Sequence, residues 1–381
     1  VVAVVRDSQE KGLVLFVPRR DPKADQWFGP RTGLEEAKEL FHADAVFPME
    51  EMEDELPRLL RDSNRVFFRM GEHPGVEPLV LKALRWARTR GTRTGRGPRS
   101  VVDPGALLDP LRLVKDREEI SRIRQATALT VEAFRETMAM TRPGMGEWEV
   151  EARLDSAFRT RGAQGPAFPT IVGSGGNGWV LHYVDNQATI EEGRLVLLDG
   201  GAEVDLYSGD VTRTYPSGGQ FTGAQLDLYG VVQRAHGQAI SRVRPGVGVA
   251  EVHEVVVQEL VTGLLEVGVL RGDLGDLLAE KAHEPFFPHQ ASHWLGLDVH
   301  DVGDYASTEG SRVLEPGMVL TVEPGLYFPP GLESPQPRFS GIGIRIEDDL
   351  LVTEDGHENL TGSLPVAPRD VEALVGSGLR G

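Results

Sequence analysis

The sequence predicts a smaller N-terminal α/β domain over residues 1–110 and a larger domain over 111–381 built from two related halves. Two observations carry this. Before Pro110, short apolar runs alternate with helical patterns, as in an α/β layer. From Leu111 onward, the order of two helices followed by strands occurs twice. The chain has 381 residues with Gly 45 and Pro 25, so many turns separate short elements.

In the first domain, residues 13–18, 45–48 and 64–68 read as short strands, and 52–60 and 77–86 as helices. Arg85, Arg88, Arg90, Arg93, Arg96 and Arg99 follow with no acid among them. No aromatic ladder accompanies these arginines, and the whole chain is acidic. They are expected to form a solvated linker or an intersubunit contact in place of a nucleic-acid arm.

The second domain opens with Asp116 and Glu119 in capping-box register, then Ile120, Ile123, Thr127, Val131 and Phe134 at helical spacing. Thr141-Arg142-Pro143-Gly144 ends that helix, and Val150, Leu154 and Phe158 mark a second. Residues 168–172, 180–183, 195–202 and 207–215 read as strands. The order then repeats. Helices are expected at 222–243, opened by Thr222 and Gln225, at 249–267 and at 273–282. Strands are expected at 295–300, 318–323 and 342–352.

Composition excludes several function classes. With 40 basic and 58 acidic residues the net charge is −18, which argues against nucleic acid or an anionic membrane as partner. Cysteine is absent, so disulfides, thiol nucleophiles and cysteine-ligated zinc or iron–sulfur clusters are excluded, and a reducing, cytoplasmic location is expected. No apolar run reaches the length of a membrane span. Gly173-Ser174-Gly175-Gly176-Asn177-Gly178 matches a dinucleotide-binding pattern, but a strand-like stretch follows it where a helix is needed. His289 and His293 have zinc-helix spacing, but Gln290 stands where the zincin pattern needs Glu.

Five residues sit in apolar, strand-like settings: Asp199, Asp210, His293, Glu323 and Glu347. Buried carboxylates are paired or bind metal. Four carboxylates at −4 balance two divalent cations, with one neutral imidazole. Oxygen-rich ligation suits Mn²⁺, with Co²⁺, Zn²⁺ or Fe²⁺ as substitutes. Two such ions sharing a water lower its pKa toward neutral.

At these residues the sequence resembles the pita-bread metallopeptidases, nearest to the bacterial Xaa-Pro aminopeptidases (aminopeptidase P). The similarity runs through Gly175-Gly176-Asn177 to Leu181-His182-Tyr183, Leu198-Asp199-Gly200-Gly201, Gly209-Asp210-Val211-Thr212-Arg213-Thr214, residues 292–303, Thr321-Val322-Glu323-Pro324-Gly325-Leu326-Tyr327 and 341–349. It spans residues 115–362 in order and spacing, while the N-terminal segment resembles the family's accessory domain loosely and is short. Gln290-Ala291 stands where the family has Gly-Leu.

The resemblance implies an α+β fold: a pita-bread catalytic domain with two related α/β halves around a curved antiparallel sheet, plus the smaller N-terminal domain. It implies that Asp199 chelates one metal, that Asp210 and Glu347 bridge both, and that His293 and Glu323 complete the other. A metal-bridging hydroxide would attack the first peptide bond of a peptide with proline in second position. Glu323 would shuttle the proton, and His182 and His300 would hydrogen-bond substrate and oxyanion. His289, Tyr327 and Arg345 would line the proline side, and Arg345 could equally pair with Asp199 or Asp210. A homo-oligomer, dimer or tetramer, is expected. A prolidase restricted to dipeptides and a non-catalytic pita-bread binding protein are the alternatives. If the chain between His293 and His300 is extended, the two imidazoles lie ~20 Å apart at ~3.3 Å per residue, too far for both to bind one cluster unless the chain curves back, and His300 is assigned to the substrate.

Overall fold

The structure is a computed structural model, and it describes residues 1–6, 12–308, 310–332 and 334–379. The chain divides into two compact units, Val1–Leu108 and Asp109–Gly381.

The first unit contains β1 (Val2–Val5), β2 (Leu13–Val17), α1 (Pro22–Phe28), α2 (Leu34–Leu40), β3 (Ala45–Pro48), α3 (Met52–Leu59), β4 (Arg65–Phe67), α4 (Glu77–Thr89) and β5 (Ser100–Val102). The division falls within α5 (Gly105–Leu113). β2 pairs antiparallel with β1 and parallel with β3. Its alternate residues feed two separate apolar clusters, Val14 and Phe16 in one and Leu15 and Val17 in the other. A central strand buried on both faces explains its unbroken apolar run. The sequence reading missed β1, α1 and α2. For α1 the signal was present: Asp21 accepts from the Lys23 N–H as N-cap, and Pro22 follows it. The arginine run is solvated but is not a linker. It ends α4, and after it the Arg99 N–H donates to the Asn64 carbonyl and β5 pairs with β4.

The second unit begins with α6 (Arg117–Met140) and α7 (Glu147–Thr160). Then come β6 (Gly165–Pro166), β7 (Ile171–Ser174), β8 (Leu195–Gly200), β9 (Ala202–Val204), β10 (Tyr207–Ser208) and β11 (Val211–Pro216). The second half brings α8 (Gly223–Arg242), α9 (Val249–Glu266) and α10 (Leu274–Ala279). It continues with β12 (Ala306–Ser307), β13 (Gly310–Ser311), β14 (Val319–Val322), β15 (Gly325–Phe328), β16 (Ile342–Arg345), β17 (Asp348–Val352) and β18 (His357–Asn359), and α11 (Pro368–Leu374) closes it. β8 lies between β7 and β11, all antiparallel. β17 lies between β14 and β18, and β15 pairs with β16. One apolar cluster draws on both halves, including Phe134, Leu154 and Leu198 from the first and Val252, Leu260 and Leu320 from the second.

Both capping boxes form: Asp116 with Glu119 on α6, and Thr222 with Gln225 on α8. The relatedness of the halves is also written in the turn between their paired helices. Arg142-Pro143-Gly144-Met145-Gly146 and Arg244-Pro245-Gly246-Val247-Gly248 share one backbone course. Gly144 and Gly246 have φ of 87° and 84°, where only glycine is free of strain. Their N–H groups donate to Ile190 and Leu314 at 2.8 and 3.0 Å. Glu149 and Glu251 then reach back to the N–H of Gly146 and Gly248. Helical periodicity alone did not expose this repeat.

Two expected strands are not strands. Residues 180–183 are a turn after the short 3-10 helix Gly175–Asn177, so no helix start follows the glycine-rich stretch. Residues 295–300 are a series of bends. There the Asp301 N–H donates to the Trp294 carbonyl at 2.9 Å and the Gly296 N–H to Asp298 at 3.1 Å, so the chain turns back on itself.

That folded-back loop is pinned by a buried ion pair. Lys115 Nζ lies 3.0 Å from Asp301 Oδ2, both side chains 1% exposed, and Arg112 donates to the other oxygen. Removing one member of such a pair leaves the other charge uncompensated. Asp301→Ala is expected to lower the unfolding free energy by about 3–5 kcal/mol, read from urea denaturation. A loss below about 1 kcal/mol would show that the loop does not depend on this pair.

Candidate metal centre

Each chemically charged side chain is delivered by a strand end. Asp199 is the penultimate residue of β8, opposite Thr212 on β11. Asp210 immediately precedes β11, and Gly201 beside it must lack a side chain because a Cβ would lie 1.6 Å from the Gly209 carbonyl oxygen. Glu323 follows β14, and its N–H donates to Ala291 at 2.9 Å. Glu347 joins β16 to β17, with its N–H on the Thr212 carbonyl at 3.1 Å. His293 is held at both backbone groups by Thr321: its N–H donates to the Thr321 hydroxyl and its carbonyl accepts the Thr321 N–H.

These residues converge. Ligand-capable atoms of Asp210, His293 and Glu347 all lie within 4.8 Å of one another. His293 Nε2 is 3.3 Å from Asp210, 3.7 Å from Glu323 and 4.0 Å from Glu347. His293 Nδ1 lies 3.1 Å from the Trp294 carbonyl, so a proton there leaves the Nε2 lone pair facing the carboxylates. Asp199 directs one oxygen to Arg345, while its other oxygen is buried without a hydrogen-bond partner.

Electrostatics measures how tightly the acids are packed. Burial, then the charges of Asp199 and Glu323, hold the Asp210 carboxyl well above the usual carboxylate range. Burial, then Asp210 and Asp199, do the same to Glu347. Burial and Glu347 push Glu323 up to about 8. Carboxylates that raise one another so strongly lack a counter-charge. Two carboxylates and an imidazole nitrogen grouped within 4.8 Å, with Glu323 3.7 Å from that imidazole and an orphaned buried oxygen on Asp199, fit hard divalent cations.

Arg345 stitches this centre to a neutral wall. Its guanidinium donates to Thr212, to the Tyr327 hydroxyl at 3.1 Å, and to Asp199. Of the partners left open for Arg345, the structure chooses Asp199 and not Asp210. His289 Nε2 lies 2.9 Å from the Tyr327 hydroxyl, and burial with Arg345 pushes the imidazole down to about 3. Burial pushes Tyr327 up to about 12. Both rings are therefore uncharged at neutral pH.

The separation expected between His293 and His300 is overturned. Their ring centroids are 4.3 Å apart, because the chain between them folds back instead of extending. Burial, then His293 and His182, lower the pKa of His300. His182 itself is exposed on the 180–183 turn, near enough for its charge to act on both His289 and His300.

Several supporting residues escaped the sequence reading. The Thr212 hydroxyl donates to Glu347 at 2.6 Å, and Asp349 accepts the Asp210 N–H at 2.9 Å. Arg213 is fully buried, bonded to the Glu347 carbonyl and paired with Asp348 at 2.6 Å. Strand alternation offered a signal: Thr212 and Thr214 share one face of β11, in step with Asp210 just before the strand.

Residues 121–354 match metallopeptidase family M24, and residues 1–67 match the aminopeptidase P N-terminal domain. The chain is similar to the Xaa-Pro aminopeptidase of Escherichia coli strain K12, 42% identical over 375 residues that span 98% of this chain and 85% of that one. Among solved structures it is similar to aminopeptidase PepP of Pseudomonas aeruginosa, with TM-score 0.94, 37% identity, and coverage of 99% and 86%. It is also similar to proline aminopeptidase P II of Yersinia pestis, with TM-score 0.90, 44% identity, and coverage of 96% and 84%. The two-halved second unit is thus a pita-bread domain. With this architecture, this donor set and these relatives, the chain belongs to metallopeptidase family M24.

Proposed function

We infer that this chain is a dinuclear-metal aminopeptidase that hydrolyses the first bond of peptides with proline in second position. The observation that carries the reading is the convergence of buried acids on His293 beside the uncharged Tyr327–His289 wall. Asp199 would hold one ion, His293 and Glu323 would hold the other, and Asp210 and Glu347 would serve both. Bound there, the ions supply Lewis-acid polarisation and a water acidified toward neutral pH. The oxygen-rich set favours Mn²⁺.

The chain's own groups do the rest. Glu323, 3.6 Å from His289 and 3.7 Å from His293, sits at the inner edge where a proton must move to the leaving amine. His182 and His300 donate to the substrate carbonyl and to the charge that develops on it. The neutral wall of Tyr327 and His289, braced by Arg345, receives the proline ring without a desolvated charge facing it. Trp27 and Phe28, 82% and 77% exposed, support association into a homo-oligomer.

Metal-stripped protein is expected to be inactive on a tripeptide with proline in second position and to regain turnover with Mn²⁺, binding two ions by elemental analysis. Full turnover with no metal left overturns the reading. Turnover confined to the dipeptide would assign a prolidase. Glu347→Ala is expected to lose metal and activity together, and two retained ions with near-normal turnover would remove Glu347 from the ligand set. His300→Ala is expected to retain both ions while turnover falls by about 10²–10³. Since His300 lies beside His293, metal analysis of this variant decides its role: ion loss would make it a ligand.

A further inference from the structure

We propose that Glu147 is a positioning residue that sets the loop carrying His182. Glu147 is the first residue of α7, with 0% exposure, and it takes no part in the metal centre. Its Oε1 accepts from the Ser174 N–H at 2.7 Å, the Ser174 hydroxyl at 2.7 Å and the Asn177 amide at 3.1 Å. Its Oε2 accepts from the Tyr183 hydroxyl at 3.0 Å and the Ala188 N–H at 2.8 Å. The Glu147 N–H donates to the Ala188 carbonyl. One carboxylate thereby ties together the start of the loop, the residue beside His182, and its end.

That loop has no strand pairing to hold it. Residues 178–188 contain neither helix nor strand. The charge-assisted bonds replace the missing ladder, and the N-terminus of α7 favours the negative charge. One turn along, Glu151 holds the Asn186 amide at 2.9 Å, and Asn186 holds the Val172 N–H at 2.9 Å. Position 147 and position 151 share a helix face, so α7 grips the loop twice. From the far side the Leu181 carbonyl accepts from Arg345, which also pairs with Asp199.

The second half supplies the internal control. Val249 occupies the place of Glu147, after the same Arg-Pro-Gly-x-Gly turn. Its N–H donates to Arg312 at 2.8 Å as that of Glu147 donates to Ala188 at 2.9 Å. Val249 is buried too. The turn and the helix start therefore form without a carboxylate. Glu149 and Glu251 cap both helices alike, so capping does not account for Glu147 either. The halves differ in what holds the loop: Glu147 ties the one that carries His182, whereas the stretch before Arg312, which carries His300, is pinned by Asp301 with Lys115 and Arg112.

The proposal rests on the reading of His182 as a substrate-binding group, and two measurements separate them. With metal-loaded protein and the proline tripeptide, Glu147→Ala is expected to lower kcat by about tenfold to a hundredfold, with metal content unchanged. In a His182→Ala background the same change is expected to cost less than about twofold. An equal cost in both backgrounds, or unchanged kcat in the single variant, overturns the proposal. Should Glu147→Ala not fold, Tyr183→Phe removes one of the five bonds and is expected to show the same coupling. Independently of turnover, the His182 ring resonance of metal-free protein, assigned by its loss in His182→Ala, is expected to shift in Glu147→Gln. An unmoved resonance overturns the proposal even if the protein cleaves proline peptides. If the wild type cleaves none, the functional reading fails while the ring resonance still decides the role of Glu147.

Discussion

The second unit is organised around the mutual repulsion of acids forced together at strand ends. Asp210 and Glu347 are almost fully buried, and burial together with the neighbouring carboxylates raises the pKa of both. Such packing is costly for a fold unless a cation offsets it. Behind the acids, the surroundings are built to hold them in place and not to neutralise them. Thr212, Thr321 and Arg213 fix the backbone or the unused oxygen of the acidic residues and of His293. Of the four acids Asp199, Asp210, Glu323 and Glu347, Asp199 alone pairs with an arginine among the described residues, Arg345.

The same economy governs the wall beside the centre. Tyr327 and His289 are polar in composition but uncharged in place, because burial raises one and lowers the other. Arg345 serves both sides, bracing an acid with one nitrogen and a phenol with another. A single buried cation thus couples the ligand cluster to the surface expected to meet the substrate, and a shift in one is felt at the other.

What was legible in the sequence follows from what each signal measures. Asp199, Asp210, Glu323 and Glu347 were visible because an acid inside an apolar strand-like run is costly without a purpose. The long helices were visible because their caps are local, as at Asp116 and Thr222. The stretch from His293 to His300 misled because distance along the chain was read as distance in space. A bend stabilised by Lys115 and Arg112, over 180 residues away, cannot be seen locally. Residues 180–183 misled likewise, since their order comes from a carboxylate on another element, Glu147. The repeated Arg-Pro-Gly-x-Gly turn was in plain view, but a search for apolar periodicity passes over turns.

Because Asp199 and Asp210 come from the first half and His293, Glu323 and Glu347 from the second, whatever binds among them also binds the halves to each other. Occupancy and cohesion become one equilibrium. Free cation at a hundred times its dissociation constant would add about 2.7 kcal/mol to the folded state. The ambient metal concentration would then act as a thermodynamic dial on the stability of the unit. An emptied site would forgo that stabilisation at the same moment that it forgoes the chemistry the ions would supply.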